Sequence, residues 1–206
     1  MASFCVLLVA FTVFSTLKAS LLPDDRYFNE EDPCEDFIYD GRRLPFAEVL
    51  IGERMFDSRN CGMVVSIDEV NTEIPIVRFS EDNETMYLVA MLDPDTPSFT
   101  NPLCRHWVHF IFGNVKGKHL AFGRIRGGNI YGEYNPPNPQ PGQGIHRFYF
   151  FVFEQKERLV DGIHIANRCG FNIDAFIQDF QLKPVAMNMF RSEYQNVVVI
   201  SELILT

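Results

Sequence analysis

The sequence predicts a mainly β domain with a few short helices, and three stretches carry that prediction. The first is Tyr87 to Leu92, which is β-rich and apolar on both faces, as a buried strand is. The second is Trp107 to Val115, which alternates two sets: Trp107, His109 and Ile111 on one side, Val108, Phe110 and Phe112 on the other. The third is His146 to Gln155, where His146, Phe148 and Phe150 share one face and Arg147, Tyr149 and Phe151 the other. It follows a segment whose six prolines and glycines between Pro136 and Gly144 forbid regular structure and deliver the chain into the strand.

The remaining elements follow in chain order. Residues 1–20 have an apolar run from Cys5 to Phe14, small residues at Ala19 and Ser20 and then polar, proline-containing chain, the pattern of a signal peptide. The competing reading is a membrane anchor, for which the run is short, since a spanning helix needs about 20 residues. Residues 21–43 are acidic and irregular and read as a loosely held N-terminal extension, which leaves residues 44–206 as a single domain. Leu44 to Phe56 places Phe46, Val49, Leu50 and Met55 at near-helical spacing behind Pro45, so a short helix is expected. Met63 to Ile67 and Ile74 to Phe79 read as strands around a polar turn. Gly117 to Tyr134 reads as loop with one edge strand at His119 to Ile125, and its Lys118, Arg124 and Arg126 as a solvated surface. Behind Asn172, a fair N-cap, Ile173, Phe176, Ile177 and Phe180 lie at helical spacing. The tail from Val197 reads as a strand or a short packed helix.

Chemistry concentrates at the ends of the predicted strands. Pro94 and Pro97 stop the first one, so Asp93, Asp95, Thr96 and Ser98 crowd the lip of the sheet. Each of the other two strands begins near a Pro/Gly loop with one histidine, His109 or His146. If those strands are neighbours, two imidazoles and Asp93 converge in a small polar pocket walled by aromatics.

The segments DPDTPS, RHWVHF and GQGIHRFYFFVFEQ together resemble the hallmark segments of the phosphatidylethanolamine-binding protein family, and their spacing fits. A further segment, FNIDAFIQDFQLKPVAMNMF from Phe171, resembles that family's late helix and the Pro-Val-Ala turn behind it, so the resemblance covers most of the chain from about Cys61. It implies an antiparallel Greek-key β-sandwich whose pocket binds a small anion or a phospholipid headgroup, with Asp93, Pro97, His109, Gly144 and His146 at pocket positions. Phe148 and Phe190 stand where the family usually has tyrosine. Each loses a hydroxyl donor, and a hydrogen bond to a charged group is worth about 1.5–3 kcal/mol, or roughly one to two decades in affinity.

Without the first 20 residues the formal charge moves from −9 to −10 with the loss of Lys18. An acidic chain with no basic run has no footprint for nucleic acid and is repelled by anionic lipid, and nothing later in the chain is long and apolar enough for stable membrane insertion. Cys5 leaves with the leader, and Cys34, Cys61, Cys104 and Cys169 remain, an even number that in an exported chain favours two disulfides in one of three connectivities, against four free buried thiols. Cys34–Cys61 with Cys104–Cys169 is favoured, because the second pair ties the loop beside the pocket to the segment entering the late helix. Asn83 heads an N-glycosylation sequon in a polar turn.

The expected function is a secreted, non-enzymatic binding protein without a cofactor, its ligand a small anion or a phospholipid headgroup, its action exerted on an extracellular protein partner. An alternative is a protease inhibitor or signalling modulator that works through surface loops, with the pocket vestigial. A metal enzyme using His109, His146 and Asp93 is a weaker alternative, because the three lack a diagnostic local spacing; no zinc-type Cys/His spacing and no G-x-S-x-G elbow are present.

Overall fold

The computed structural model describes residues 33–35 and 37–194. The expected signal peptide and the tail from Val197 lie outside these residues. Eleven strands and three short helices follow one another: β1 (Ile38–Tyr39), β2 (Arg42–Arg43), β3 (Glu48–Ile51), β4 (Arg54–Phe56), β5 (Val64–Ser66), α1 (Ile67–Val70), β6 (Ile76–Arg78), β7 (Met86–Asp93), β8 (Trp107–Lys116), α2 (Gly117–Leu120), β9 (Asn129–Gly132), β10 (His146–Gln155), α3 (Ile173–Asp179) and β11 (Leu182–Glu193).

The large sheet has the order β5-β11-β10-β7-β8-β9. Strands β7, β8 and β9 run consecutively side by side and β10 returns to lie beside β7, which is the Greek-key order. Pairing is antiparallel throughout except at the edge, where β5 joins β11 in parallel. Both faces of this sheet are covered. Val49, Ile51, Phe56 and Val77 of the small sheet β4-β3-β6 pack with Phe110, Phe148, Phe150 and Phe190 on one face. On the other, α3 and the N-terminal segment pack with Tyr149, Phe151 and Phe153. Burial on two sides is why the three long strands read as nearly continuous apolar runs.

Four expectations are corrected. Residues 44–56 form the β3–β4 hairpin, not a helix: Ala47, Val49 and Ile51 are buried with a period of two, and Gly52 turns the chain at φ +55° between Ile51 and its partner Arg54. The edge strand is β9, not His119 to Ile125, where α2 and a glycine turn lie instead. Pro184, Val185 and Ala186 belong to β11 rather than to a turn; Val152 faces Ala186 and Phe153 faces Pro184, so Val185 is a bulge of the kind that accommodates proline in a sheet. Finally, the chain is not loosely held where the N-terminal extension was expected to end. Cys34 and Phe37 are buried, and Cys34 is bonded to Cys61.

Candidate functional site

The two histidine strands are not neighbours. Strand β7 lies between them and runs opposite to both, so its C-terminal Asp93 emerges between the N-terminal ends of β8 and β10. One carboxylate is thereby flanked by His109 and His146 at the rim of the sheet.

A bulge aims His109. Met91 pairs with Phe110 and Leu92 with Val108, leaving His109 as the extra residue. The strict alternation expected for β8 therefore fails. His109 and Phe110 both turn toward the face that holds Phe148 and Phe150, whereas Val108 and Ile111 go to the opposite core. The loop ahead of β9's successor closes the arrangement: the Asn135 carbonyl accepts from His109 Nδ1 at 2.6 Å, and the Asn135 N–H donates to the His109 carbonyl at 2.8 Å. From behind, the Arg168 guanidinium donates to the carbonyls of Val108, His109 and Glu133. Arg168 is placed by its neighbour Cys169, bonded to Cys104 as expected.

Asp93 is saturated. Its Oδ1 accepts from the Asp95 N–H at 2.7 Å, and its Oδ2 accepts from the Thr96 hydroxyl at 2.6 Å and from His146 Nδ1 at 2.7 Å. The carboxylate backs His146 instead of standing beside it, and among the described residues no group of His, Cys, Asp and Glu is arranged to hold a metal ion. Beside it, Asp95 receives three bonds from buried Arg147, from the backbone N–H, Nε and a terminal guanidinium nitrogen, at 2.7–2.9 Å. This fork-like pairing pins the DPDTP loop to β10. A charge in the middle of a buried apolar strand must be paired, so Arg147 was the signal in the sequence that would have found this ion pair.

The cavity they line measures about 210 Å³. Asp93, Thr96, Trp107, His109 and His146 form its depth, and the mouth is made of Asn135, Asn138, Gln140 and Gln143 with their intervening prolines. Pro97 and Gly144 sit next to lining residues without lining it themselves. Phe148 and Phe190 stand behind it: the Phe148 ring lies 5.3 Å from the His109 ring, 6.2 Å from that of His146 and 4.9 Å from that of Phe190. The Nε2 atoms of both histidines are buried and have no hydrogen-bond partner.

The two imidazoles are tuned in opposite directions. Burial holds His109 below its ordinary value, and Arg168 and His146 push the same way against the pull of Asp93. Burial also works against a proton on His146, but the bond to Asp93, the charges of Asp93 and Asp95 and the Pro97 carbonyl outweigh it and raise this group. Asp93 itself is pushed up by burial and brought below its ordinary value by His146, His109 and Thr96.

This fold is shared. The family model described as "Phosphatidylethanolamine-binding protein" matches residues 40–193, and the chain belongs to that family. Among curated proteins it is 38% identical over 122 residues to "Protein MOTHER of FT and TFL1 homolog 2" of Oryza sativa subsp. japonica, covering 58% of this chain and 67% of that one. Among solved structures, the phosphatidylethanolamine-binding protein from Plasmodium vivax matches with a TM-score of 0.63 and 22% identity over 85% of this chain and 100% of that one. A carboxypeptidase Y inhibitor, solved with its cognate proteinase, matches with a TM-score of 0.63 and 19% identity over 81% and 92%. At these identities the structural likenesses speak for the fold.

Proposed function

We propose that this chain is a secreted, non-enzymatic binding protein whose rim pocket takes a small anion, in particular a phosphorylated headgroup, and that occupancy modulates a protein partner. The observation that carries the reading is one cavity lined by both histidines, whose Nε2 atoms are buried without a hydrogen-bond partner. Buried polar groups are nearly always satisfied, so two that are not, on one pocket, await a ligand. A binding role fits better than a catalytic one because, among the described residues, the Thr96 hydroxyl beside the dyad Asp93–His146 donates to Asp93, and Cys104 and Cys169 are bonded to each other. Export is supported by the signal-like N-terminus and by two disulfides. A partner is suggested by the neighbour solved with its proteinase, and Leu103 and Phe99, exposed on the loop that carries Thr96, give such a partner an apolar handhold.

Calorimetric titration with phosphorylethanolamine at pH 5.5 and 7.5 tests the proposal. Binding at both, tighter at the lower pH where His146 is more fully charged, is expected; no binding at either pH overturns it.

A further inference from the structure

The turn that enters β7, Ser80 to Thr85, is closed by its own side chains. Asp82 Oδ1 accepts from the N–H groups of Glu84 and Thr85, both at 2.8 Å, and from the Thr85 hydroxyl at 3.1 Å, while the Ser80 hydroxyl donates to the Asp82 carbonyl. The Glu84 carboxylate is paired with Lys116 and Lys118. Two backbone bonds dock the turn on the start of α2, from the Gly117 N–H to the Thr85 carbonyl at 2.9 Å and from the Lys118 N–H to the Asn83 carbonyl at 3.0 Å. Amid these bonds the exposed side-chain amide of Asn83 makes no hydrogen bond among the described residues.

An asparagine serves a turn in one of two ways: its side chain bonds the backbone two residues on, or it takes a left-handed backbone that other side chains avoid. The first task belongs here to Asp82, and the second does not arise, since the described non-glycine residues with positive φ are Asp40, Asn114 and Gln181. Other loop asparagines do such work: Asn60 accepts from the Asp57 N–H, Asn167 from the Cys169 N–H, and Asn172 caps α3. Turn chemistry therefore leaves the identity of residue 83 unexplained, and the acceptor tripeptide Asn83-Glu84-Thr85 explains it.

Resting on the export reading, we propose that Asn83 carries an N-linked glycan. Asn83 Nδ2 forms a bond to the anomeric carbon of an oligosaccharide presented as its lipid-linked diphosphate. The bond from that carbon to the diphosphate oxygen breaks, the diphosphate leaves with the electron pair, and one proton of Nδ2 is released. The Thr85 hydroxyl is engaged with Asp82 in the folded turn, so the transfer precedes closure of the turn. Once attached, the sugar displaces no bond, because the amide that bears it has none. Strand β7 runs from Met86 to Asp93, and at about 3.4 Å per residue the turn stands roughly 24 Å from the carboxylate of the cavity. The glycan covers the end of the large sheet opposite the cavity and leaves the rim open to a partner.

The test is expression of the full chain in a eukaryotic secretory host, with intact and peptide masses of the secreted protein measured before and after peptide N-glycosidase. Wild type should carry an oligosaccharide that the enzyme removes, leaving aspartate at position 83, and Thr85→Ser should do the same. Asn83→Gln and Thr85→Ala should be secreted bare. Asn83→Gln breaks no bond of the turn, so it reports on the sugar even where Thr85→Ala, which loses a bond to Asp82, fails to fold. Secreted wild type with an unmodified Asn83 overturns the proposal and leaves the export reading standing. A chain retained in the cell with its leader attached overturns the export reading, and the proposal with it.

Discussion

The same strands carry buried polar clusters at both ends, and the two clusters are finished differently. At the far end of β8 and β10, Asn114 Nδ2 donates to Asn129, to Tyr131 and to the Leu159 carbonyl at 2.8–3.1 Å. Its Oδ1 accepts from Gln155 Nε2 and from the Leu159 N–H at 2.8 and 2.9 Å, and its own N–H donates to Gln155 Oε1 at 2.6 Å. Every hydrogen-bonding position of that amide is used. At the near end two imidazole nitrogens have no partner. A fully satisfied buried network rigidifies a fold, and the two open positions at the near end are the ones the proposed binding reading rests on. The contrast supports the proposal that the near end is the site.

If that distinction is right, the largest damage to folding comes from the closed end. Asn114→Ala strands the Leu159 N–H, worth about 1–3 kcal/mol when buried without a partner, takes one of two partners from Gln155 Nε2 and from the Tyr131 hydroxyl, and puts alanine at φ +59°, where it is disfavoured by about 1–2 kcal/mol. Gly117→Ala belongs with it, since its new Cβ would sit 1.9 Å from the Asp82 carbonyl oxygen. Urea unfolding should show a loss of about 3–5 kcal/mol for Asn114→Ala, with phosphorylethanolamine affinity of the folded protein unchanged within about twofold. A stability loss under about 1 kcal/mol would erase the contrast between the ends.

The open end should behave in the reverse sense. His109→Phe removes a nitrogen that bonds to nothing and frees only the Asn135 carbonyl, which belongs to an exposed residue. Its unfolding free energy should stay within about 1 kcal/mol of wild type while phosphorylethanolamine affinity falls by roughly one to two decades. Equal loss of both would make His109 a structural residue.

How the sequence carried this difference is instructive. The three buried strands, the late helix with its Asn172 cap accepting from the Ala175 N–H, and both disulfides were legible, because burial pattern, capping chemistry and cysteine parity are local signals. Convergence of Asp93, His109 and His146 was legible only as a condition on strand adjacency, and the condition itself was wrong, since β7 intervenes. The bulge at His109 left no trace in residue types: alternation alone puts His109 with Ile111, and only the register shows otherwise. Arg168 and the Asn135 carbonyl act on His109 through the backbone, from 59 and 26 residues away, and nothing in their identity announces it. The misread hairpin at 44–56 has the opposite cause, since Phe46, Val49, Leu50 and Met55 fit a helix and Ala47, Val49 and Ile51 fit a strand equally well; Gly52 was the deciding residue.

A smaller effect sharpens the electrostatic side of the comparison. Because His146 is held above 6.5 in the folded chain, its contribution to stability is complete below the unfolded value near 6.5 and fades as the pH rises through the folded value. His109 is held below 6.5, so the native protein also loses stability as the pH falls from 6.5 through that lowered value. This second slope is present in both wild type and His146→Gln and nearly cancels in their difference, because His146 is the smallest of the influences on His109. The difference in urea midpoint between the two proteins should therefore be larger at pH 5.5 than at pH 8.5. A difference that is larger at pH 8.5 would mean that Asp93 does not hold a proton on His146.

The smallest expected effect concerns Gly144, which the family resemblance placed at the pocket. Its φ is +77°, and a Cβ built there meets nothing within 4 Å, so the requirement for glycine at this position is one of backbone conformation and not of space. An alanine in the left-handed region is disfavoured by about 1–2 kcal/mol, and asparagine is tolerated better there. Gly144 precedes His146 by two residues, but His146 is held by Asp93 and by its place in β10, paired with Ser192. Gly144→Ala should then lower stability by about 1 kcal/mol, Gly144→Asn by less, and both should bind phosphorylethanolamine within about threefold of wild type. If affinity instead drops tenfold in Gly144→Ala and recovers in Gly144→Asn, the loop conformation sets the position of Gln143 and the mouth, and the open end of the sheet depends on more than its two histidines.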